Sequence, residues 1–125
     1  MLPLCQDQGV GVIPWSPLAR GRLTRPWDSA TARTETDEFG GTLYRDEDQA
    51  VVEKVLALAE RRDVPAAQVA LAWLLAQPAV TSPIIGVTRP EHLTDAVAAV
   101  DLELDPEELE ELGSGYLPHA VSGHR

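Results

Sequence analysis

Two short stretches concentrate side chains able to hold an anion. The first is Pro14-Trp15-Ser16-Pro17-Leu18-Ala19-Arg20-Gly21-Arg22-Leu23. It offers the Ser16 hydroxyl, backbone amides left accessible by Gly21, and the guanidinium groups of Arg20 and Arg22. A pyrophosphate needs such a set, amide donors together with fixed positive charge. The second stretch is Ile85-Gly86-Val87-Thr88-Arg89-Pro90-Glu91-His92-Leu93. Here Thr88 and Arg89 come just before a proline that opens a predicted helix. Free amides and the dipole at a helix N-terminus attract anions, and Arg89 adds a full charge suited to phosphate. Each stretch also has a plainer reading. The first would serve as an ordinary turn, and the second as a helix capped by Thr88 beside a solvated Arg89. Residue types alone leave both readings open.

Groups for proton transfer or metal binding are sparse. Lys54 is the only lysine and falls on a predicted helix beside an apolar face, which suits a surface amine. Tyr44 lies in a loop and Tyr116 in the C-terminal tail, neither with a lysine partner. His92, His119 and His124 lack the spacing of a metal site. The single cysteine, Cys5, cannot form an internal disulfide, and its apolar setting suggests a buried, inert thiol.

The elements that would position these residues follow from periodicity. Residues 9–14, Gly-Val-Gly-Val-Ile-Pro, read as a short buried strand closed by proline, after a possible helix end over residues 2–8. Residues 15–46 are loop-like, rich in Gly, Pro, Thr, Ser and Asp, and long enough to suggest a functional loop. Residues 47–62 carry Val51, Val52, Val55, Leu56, Leu58 and Ala59 at helical spacing. Pro65 opens a second helix through 66–77, apolar on most faces and therefore expected to pack deeply. Residues 82–87 are a second buried-strand candidate, and Pro90 begins a helix to about Val100. Asp105-Pro106-Glu107-Glu108 is a helix start with an Asp cap, and that helix stops at Gly113. The tail, 114–125, has no period. Strands alternating with helices predict a parallel sheet of the α/β class. Two parallel strands make no stable sheet by themselves, so both candidates call for neighbours.

Composition narrows the function. The 125 residues allow one domain at most. A net charge of −10 argues against nucleic acid and anionic membranes as partners. That charge is uneven: residues 1–34 hold four arginines (Arg20, Arg22, Arg25, Arg33) against Asp7 and Asp28, a net of +2, and the remainder carries −12. A basic segment on an acidic chain suggests a local anion site, although four loop arginines also arise by chance. No apolar run approaches the roughly 20 residues of a membrane helix. Met1 is followed by Leu2, Pro3 and Leu4 without a basic region, so no signal peptide is expected and the cytoplasm is the default.

Taken together, the two stretches resemble the aldo-keto reductase family. "VIPWSPLARGRL" is similar to the segment after the family's seventh barrel strand, which lies along the cofactor pyrophosphate. "SPIIGVTRPEHLTDAV" is similar to the eighth strand and the helix that holds the adenosine 2′-phosphate. "AAQVALAWLLAQPAVTSPIIG" and "ELGSGYLPHAVSGH" resemble the family's penultimate helix and its bacterial tails. The resemblance implies that residues 1–125 are the C-terminal portion of a (β/α)8 TIM barrel, incomplete on its own, and that NADP(H) is the cofactor. It implies that Trp15, Ser16, Pro17, Leu18 and Gly21 lie on the pyrophosphate loop, with Arg22 and Arg33 as further candidates. Gly86, Thr88 and Arg89 fall on the 2′-phosphate site, and His92 and Asp95 on the adenosine positions. His92, Asp95 and Ala96 depart from the family's usual Gln, Glu and Asn, which puts its amide contacts to adenine in doubt.

The implied reaction is reduction of an aldehyde or ketone, a small-molecule carbonyl substrate. The family's Asp, Tyr, Lys and His set lies on the first four strands, outside these residues, so the isolated chain is expected to be inactive. Loop 15–46 and tail 114–125 are the parts that would reach cofactor or substrate, with Trp27, Phe39 and Tyr44 as candidate apolar walls or plain surface aromatics. Two other readings stay open. The chain could be a non-catalytic nucleotide-binding or interaction module that completes another chain's barrel, or a truncated, inactive gene product.

Overall fold

The core forms where helical spacing gathers aliphatic side chains. The computed structural model describes residues 1–29 and 38–118. Its helices are α1 (Leu2–Asp7), α2 (Glu38–Leu43), α3 (Gln49–Arg62), α4 (Ala66–Leu75), α5 (Pro90–Ala98) and α6 (Pro106–Gly113). Helix α3 buries Val52, and packs Val55, Leu58 and Ala59 against Val69 and Ala70 of α4 and Leu112 of α6. Leu58 and Val69 are fully enclosed. The expectation that α4 is packed on most faces holds for Val69–Ala72, which are buried, while Trp73, Leu74 and Leu75 are half-buried.

Local chemistry sets the helix ends. Helix α3 stops at Asp63, which adopts the left-handed conformation (φ 52, ψ 45), and Val64 N–H then donates back to Ala59 O at 3.1 Å. Helix α6 opens with a reciprocal capping box: Glu108 N–H donates to Asp105 Oδ1, and Asp105 N–H to Glu108 Oε2, both at 2.9 Å. Two bidentate clips then join α3 to α6. Arg61 donates to both Glu111 oxygens at 3.1 and 2.6 Å, and Arg62 grips the two oxygens of Glu108. Arg62 and Arg61 hold the Glu108 and Glu111 carboxyls below the usual carboxylate range through these hydrogen bonds. The indole of Trp73 donates to Leu109 O at 3.2 Å and fixes α4 to the same helix.

The two extended segments lie side by side and parallel. Val12 bridges Val80, and Trp15 bridges Ile84. Val12 N–H donates to Ala79 O at 2.9 Å, Thr81 N–H to Val12 O at 2.8 Å and Ile84 N–H to Pro14 O at 2.8 Å. The pairing is narrower than full strands over 9–14 and 82–87, and on the second segment it starts earlier, at Val80. Pro14 and Pro83 have no N–H to donate, and no third strand among the described residues flanks the pair. The side chains expected to be buried on both faces are accordingly open: Val10, Ile13, Ile84 and Val87 are between 46% and 62% exposed. Gly11 lets the segments approach, because a Cβ there would collide with the Thr81 hydroxyl.

The described parts of residues 15–46 contain more regular structure than a plain loop. They contain a 3-10 turn at Ala19–Thr24 and helix α2, and a second 3-10 turn follows at Asp46–Asp48. Cys5 is half-buried with a free thiol, rather than buried. Among the described residues, no helix is long and apolar enough to cross a membrane.

Candidate functional site

The parallel pair sends both candidate stretches out of the same end. Trp15 and Ile84 are bridged, so residues 15–23 and 85–89 continue from neighbouring positions in the same direction. In parallel α/β architectures that is the ligand end.

The first stretch forms a turn with an unusual run of left-handed backbone. Ser16 (φ 52), Ala19 (φ 49), Arg20 (φ 57) and Gly21 (φ 89) all have positive φ. Such a conformation costs an L-residue roughly 1–2 kcal/mol, and it persists where the surroundings enforce it. Two kinds of restraint are present. Ala19 N–H donates to Ser16 O at 2.9 Å, Gly21 N–H to Leu18 O at 2.8 Å and Arg20 N–H to the Ser16 hydroxyl at 3.3 Å. Leu18 and Leu23, on either side of the turn, pack against the helical core. Ser16 and Leu18 therefore shape the turn as well as lying on it.

Arg22 follows, half-buried, with its guanidinium carbon 4.5 Å from the centre of the Trp27 ring and 5.2 Å from that of Tyr44. Its N–H groups make no hydrogen bond or ion pair with the described residues. Trp15 is largely exposed. Pro17 is half-buried within the turn.

The second stretch ends the other segment. Gly86 is exposed, and a Cβ placed there would meet open space. Arg89 is the N-cap of α5, extended (φ −141, ψ 149) and exposed, without a hydrogen bond or ion pair to the described residues. Thr88 Oγ1 lies 3.4 Å from His92 Nδ1, one turn into the helix. Asp95, a further turn along, accepts from Gln68 Nε2 of α4 at 3.4 Å. His92 and Asp95 share a helix face with the N-terminus of α5.

Arg33, the side chain of Phe39 and the tail histidines His119 and His124 lie outside the described residues. Lys54 points elsewhere: its ammonium donates to Ser114 Oγ at 3.0 Å, between α3 and the tail. No group of three His, Cys, Asp or Glu side chains among the described residues is placed to hold a metal. Sequence reasoning missed two contacts. Trp27 and Tyr44 stack on Arg22, a pairing the sequence hides because Tyr44 returns from the far end of the long loop. Gln68 reaches Asp95 from another helix, with no local signal.

Comparison with known proteins follows the same lines. The profile of the aldo/keto reductase family matches residues 1–115. The versiconal hemiacetal acetate reductase of Aspergillus parasiticus is 42% identical over 97% of this chain and 36% of its own length. An aldo-keto reductase of Fusarium vanettenii is 38% identical over 99% of the chain and 34% of its own length. The chain thus spans about a third of the length of the curated relatives it matches. A thermostable aldo-keto reductase crystallised with the inhibitor epalrestat superposes with a TM-score of 0.62 at 27% identity, covering 92% of this chain and 33% of that one. The chain matches an incomplete part of that (β/α)8 barrel, as the family resemblance implied.

Proposed function

Because this chain belongs to the aldo/keto reductase family, we propose that it is the NADP(H)-binding part of an oxidoreductase that reduces aldehydes or ketones. One observation carries this reading. Two anion-suited turns leave the same end of one parallel pair, and each presents a guanidinium, Arg22 or Arg89, whose donors are uncommitted among the described residues. The donor set fits a dinucleotide with an extra phosphate. Trp15, Ser16, Pro17, Leu18, Gly21 and Arg22 would lie along the pyrophosphate, with Arg33 as a further cation. Gly86, Thr88 and Arg89 would hold the 2′-phosphate at the start of α5, and His92 and Asp95 would face the adenosine.

The cofactor supplies the hydride, and this chain's residues orient it. Reduction also requires a proton donor at the carbonyl oxygen. The only lysine is committed to Ser114, and Tyr44 stacks on Arg22, so no Tyr–Lys acid pair of that kind includes Tyr44. In this reading the 125 residues by themselves bind cofactor without turnover, because the family's Asp, Tyr, Lys and His set falls outside them. Titration of the chain with NADPH, followed by nucleotide fluorescence, tests the binding. An NADPH-consumption assay with a simple aldehyde tests the turnover. Absence of binding would overturn the reading, and carbonyl reduction by the isolated chain would overturn its second half.

A second reading rests on the open apolar side chains of Val10, Ile13, Ile84 and Val87 beside the parallel pair. Such a surface suits a module that completes another chain's barrel in the cytosol. Co-purification of a barrel-forming partner would support it; a lone monomer that ignores NADPH would exclude both readings.

A further inference from the structure

We propose that Trp27 and Tyr44 are positioning residues for Arg22, and that the three form the anion-reading element of the first turn, with a diphosphate as its ligand class. This deepens the phosphate reading of residues 15–23 and rests on it. The argument starts from the geometry of a guanidinium. Its five N–H donors lie in its plane and point outward from the rim. Stacking on an aromatic ring uses the face and leaves the rim open. Arg22 has its carbon at stacking distance from two rings, 4.5 Å from Trp27 and 5.2 Å from Tyr44, and its rim donors are unspent among the described residues.

Two further features set this residue apart. Arg22 is half-buried, whereas Arg89 at the other turn is exposed and stacks on no ring among the described residues. A long side chain held before the ligand arrives loses less rotamer freedom on binding it. The second feature is the connection of the turn. Arg22 sits one residue after left-handed Gly21 and one before Leu23, which packs on the core. The rings thus immobilise the cation at its tip while the turn and Leu23 immobilise it at its root. In a chain of net charge −10, a fixed cation of this kind is what an anion site requires. Trp27 and Tyr44 bracket the part of the long loop that separates them, so the stack also ties both ends of that excursion to the turn.

The test uses the full chain and two probes, inorganic pyrophosphate and NADPH, measured by calorimetry, with thermal midpoints recorded for each variant. Arg22→Ala is expected to weaken pyrophosphate about tenfold, the loss of one charge-assisted contact. Trp27→Leu and Tyr44→Leu each weaken it by roughly threefold, a fraction of the stacking strength. Trp27→Phe and Tyr44→Phe restore most of the affinity, and Arg22→Lys gives an intermediate value. Adding Trp27→Leu to Arg22→Ala produces no further loss, because the rings act through the arginine.

If Trp27→Leu lowers the thermal midpoint while pyrophosphate affinity stays unchanged, the rings are a staple only and the proposal falls. If Arg22→Ala binds pyrophosphate as the wild type does, the proposal falls while the phosphate reading of the turn survives. If the wild-type chain binds neither probe, the phosphate reading fails and this proposal with it.

Discussion

At the scale of single residues, the candidate site is built from groups whose conformations are constrained before any ligand is present. Three non-glycine residues of the first turn are left-handed. Arg89, in contrast, projects from an extended N-cap into solvent. A side chain so exposed adds little to holding the fold, and in the proposed reading Arg89 serves charge recognition. Arg89→Ala should leave thermal stability unchanged and weaken NADPH by about 1.5–3 kcal/mol, the range for a hydrogen bond to a charged group. NADH, which lacks the 2′-phosphate, should be unaffected, so comparing the two affinities checks the assignment.

Asp63 provides a test without any ligand. It ends α3 with φ 52, a conformation glycine adopts without a Cβ penalty. Asp63→Gly is expected to raise stability by about 0.5–1 kcal/mol in urea unfolding, net of the chain entropy that glycine adds.

The residue types of both turns could be read directly from sequence, because Gly21, Arg22, Thr88 and Arg89 are local signals. The Arg22 stack could not, since it needs Tyr44 brought back across the excursion.

At the scale of elements, periodicity and caps located α3, α4, α5 and α6, whereas α2 falls where the sequence read as loop. The spacing of Val52, Val55 and Leu58 marked α3, and Asp105-Pro106 marked α6. The extended pair was less legible. Its extent depends on neighbours, and Pro14 and Pro83 have no N–H to give the ladder.

The joint between α3 and α6 is partly ionic, and its pH behaviour follows from the carboxyls. Glu108 and Glu111 are held below their ordinary values by Arg62 and Arg61. Their folded pKa values therefore lie under the unfolded ones, so the clips contribute fully above the unfolded carboxylate range. Their contribution fades as pH falls through that range toward the lower folded values. The urea midpoint should drop on acidification from neutral pH, and the double variant Glu108→Gln, Glu111→Gln should flatten that slope. The effect is small, since the Arg61–Glu111 pair faces solvent, Arg62 is partly exposed, and salt screens both pairs. A variant as steep as the wild type would show that other carboxyls set the acid limb. Glu108 also closes the α6 capping box, so some loss at neutral pH is expected as well.

At the scale of the whole molecule, a tight helical core coexists with an open face. Leu58 and Val69 are enclosed by α3, α4 and α6, and Leu58→Ala should cost about 2–5 kcal/mol in the unfolding free energy. Other apolar side chains are left open. Val10, Ile13, Ile84 and Val87 stand beside the parallel pair, Leu93 and Val97 stand on α5 and Val100 just after it, all at least 46% exposed. Their helical spacing on α5 and their adjacency on the pair define surfaces that a barrel normally covers with further strands and helices. In the 125-residue chain by itself these surfaces meet water. It should therefore bind a hydrophobic dye strongly and associate with rising concentration, as contiguous apolar patches do. Sedimentation across a concentration series checks this, with Ile13→Lys, Ile84→Lys as the control. That variant removes apolar area at the pair and leaves α3, α4 and α6 untouched, so it should lower association while the helical signal persists. A chain that stays monomeric and dye-silent at high concentration would mean that these side chains find cover within the 125 residues.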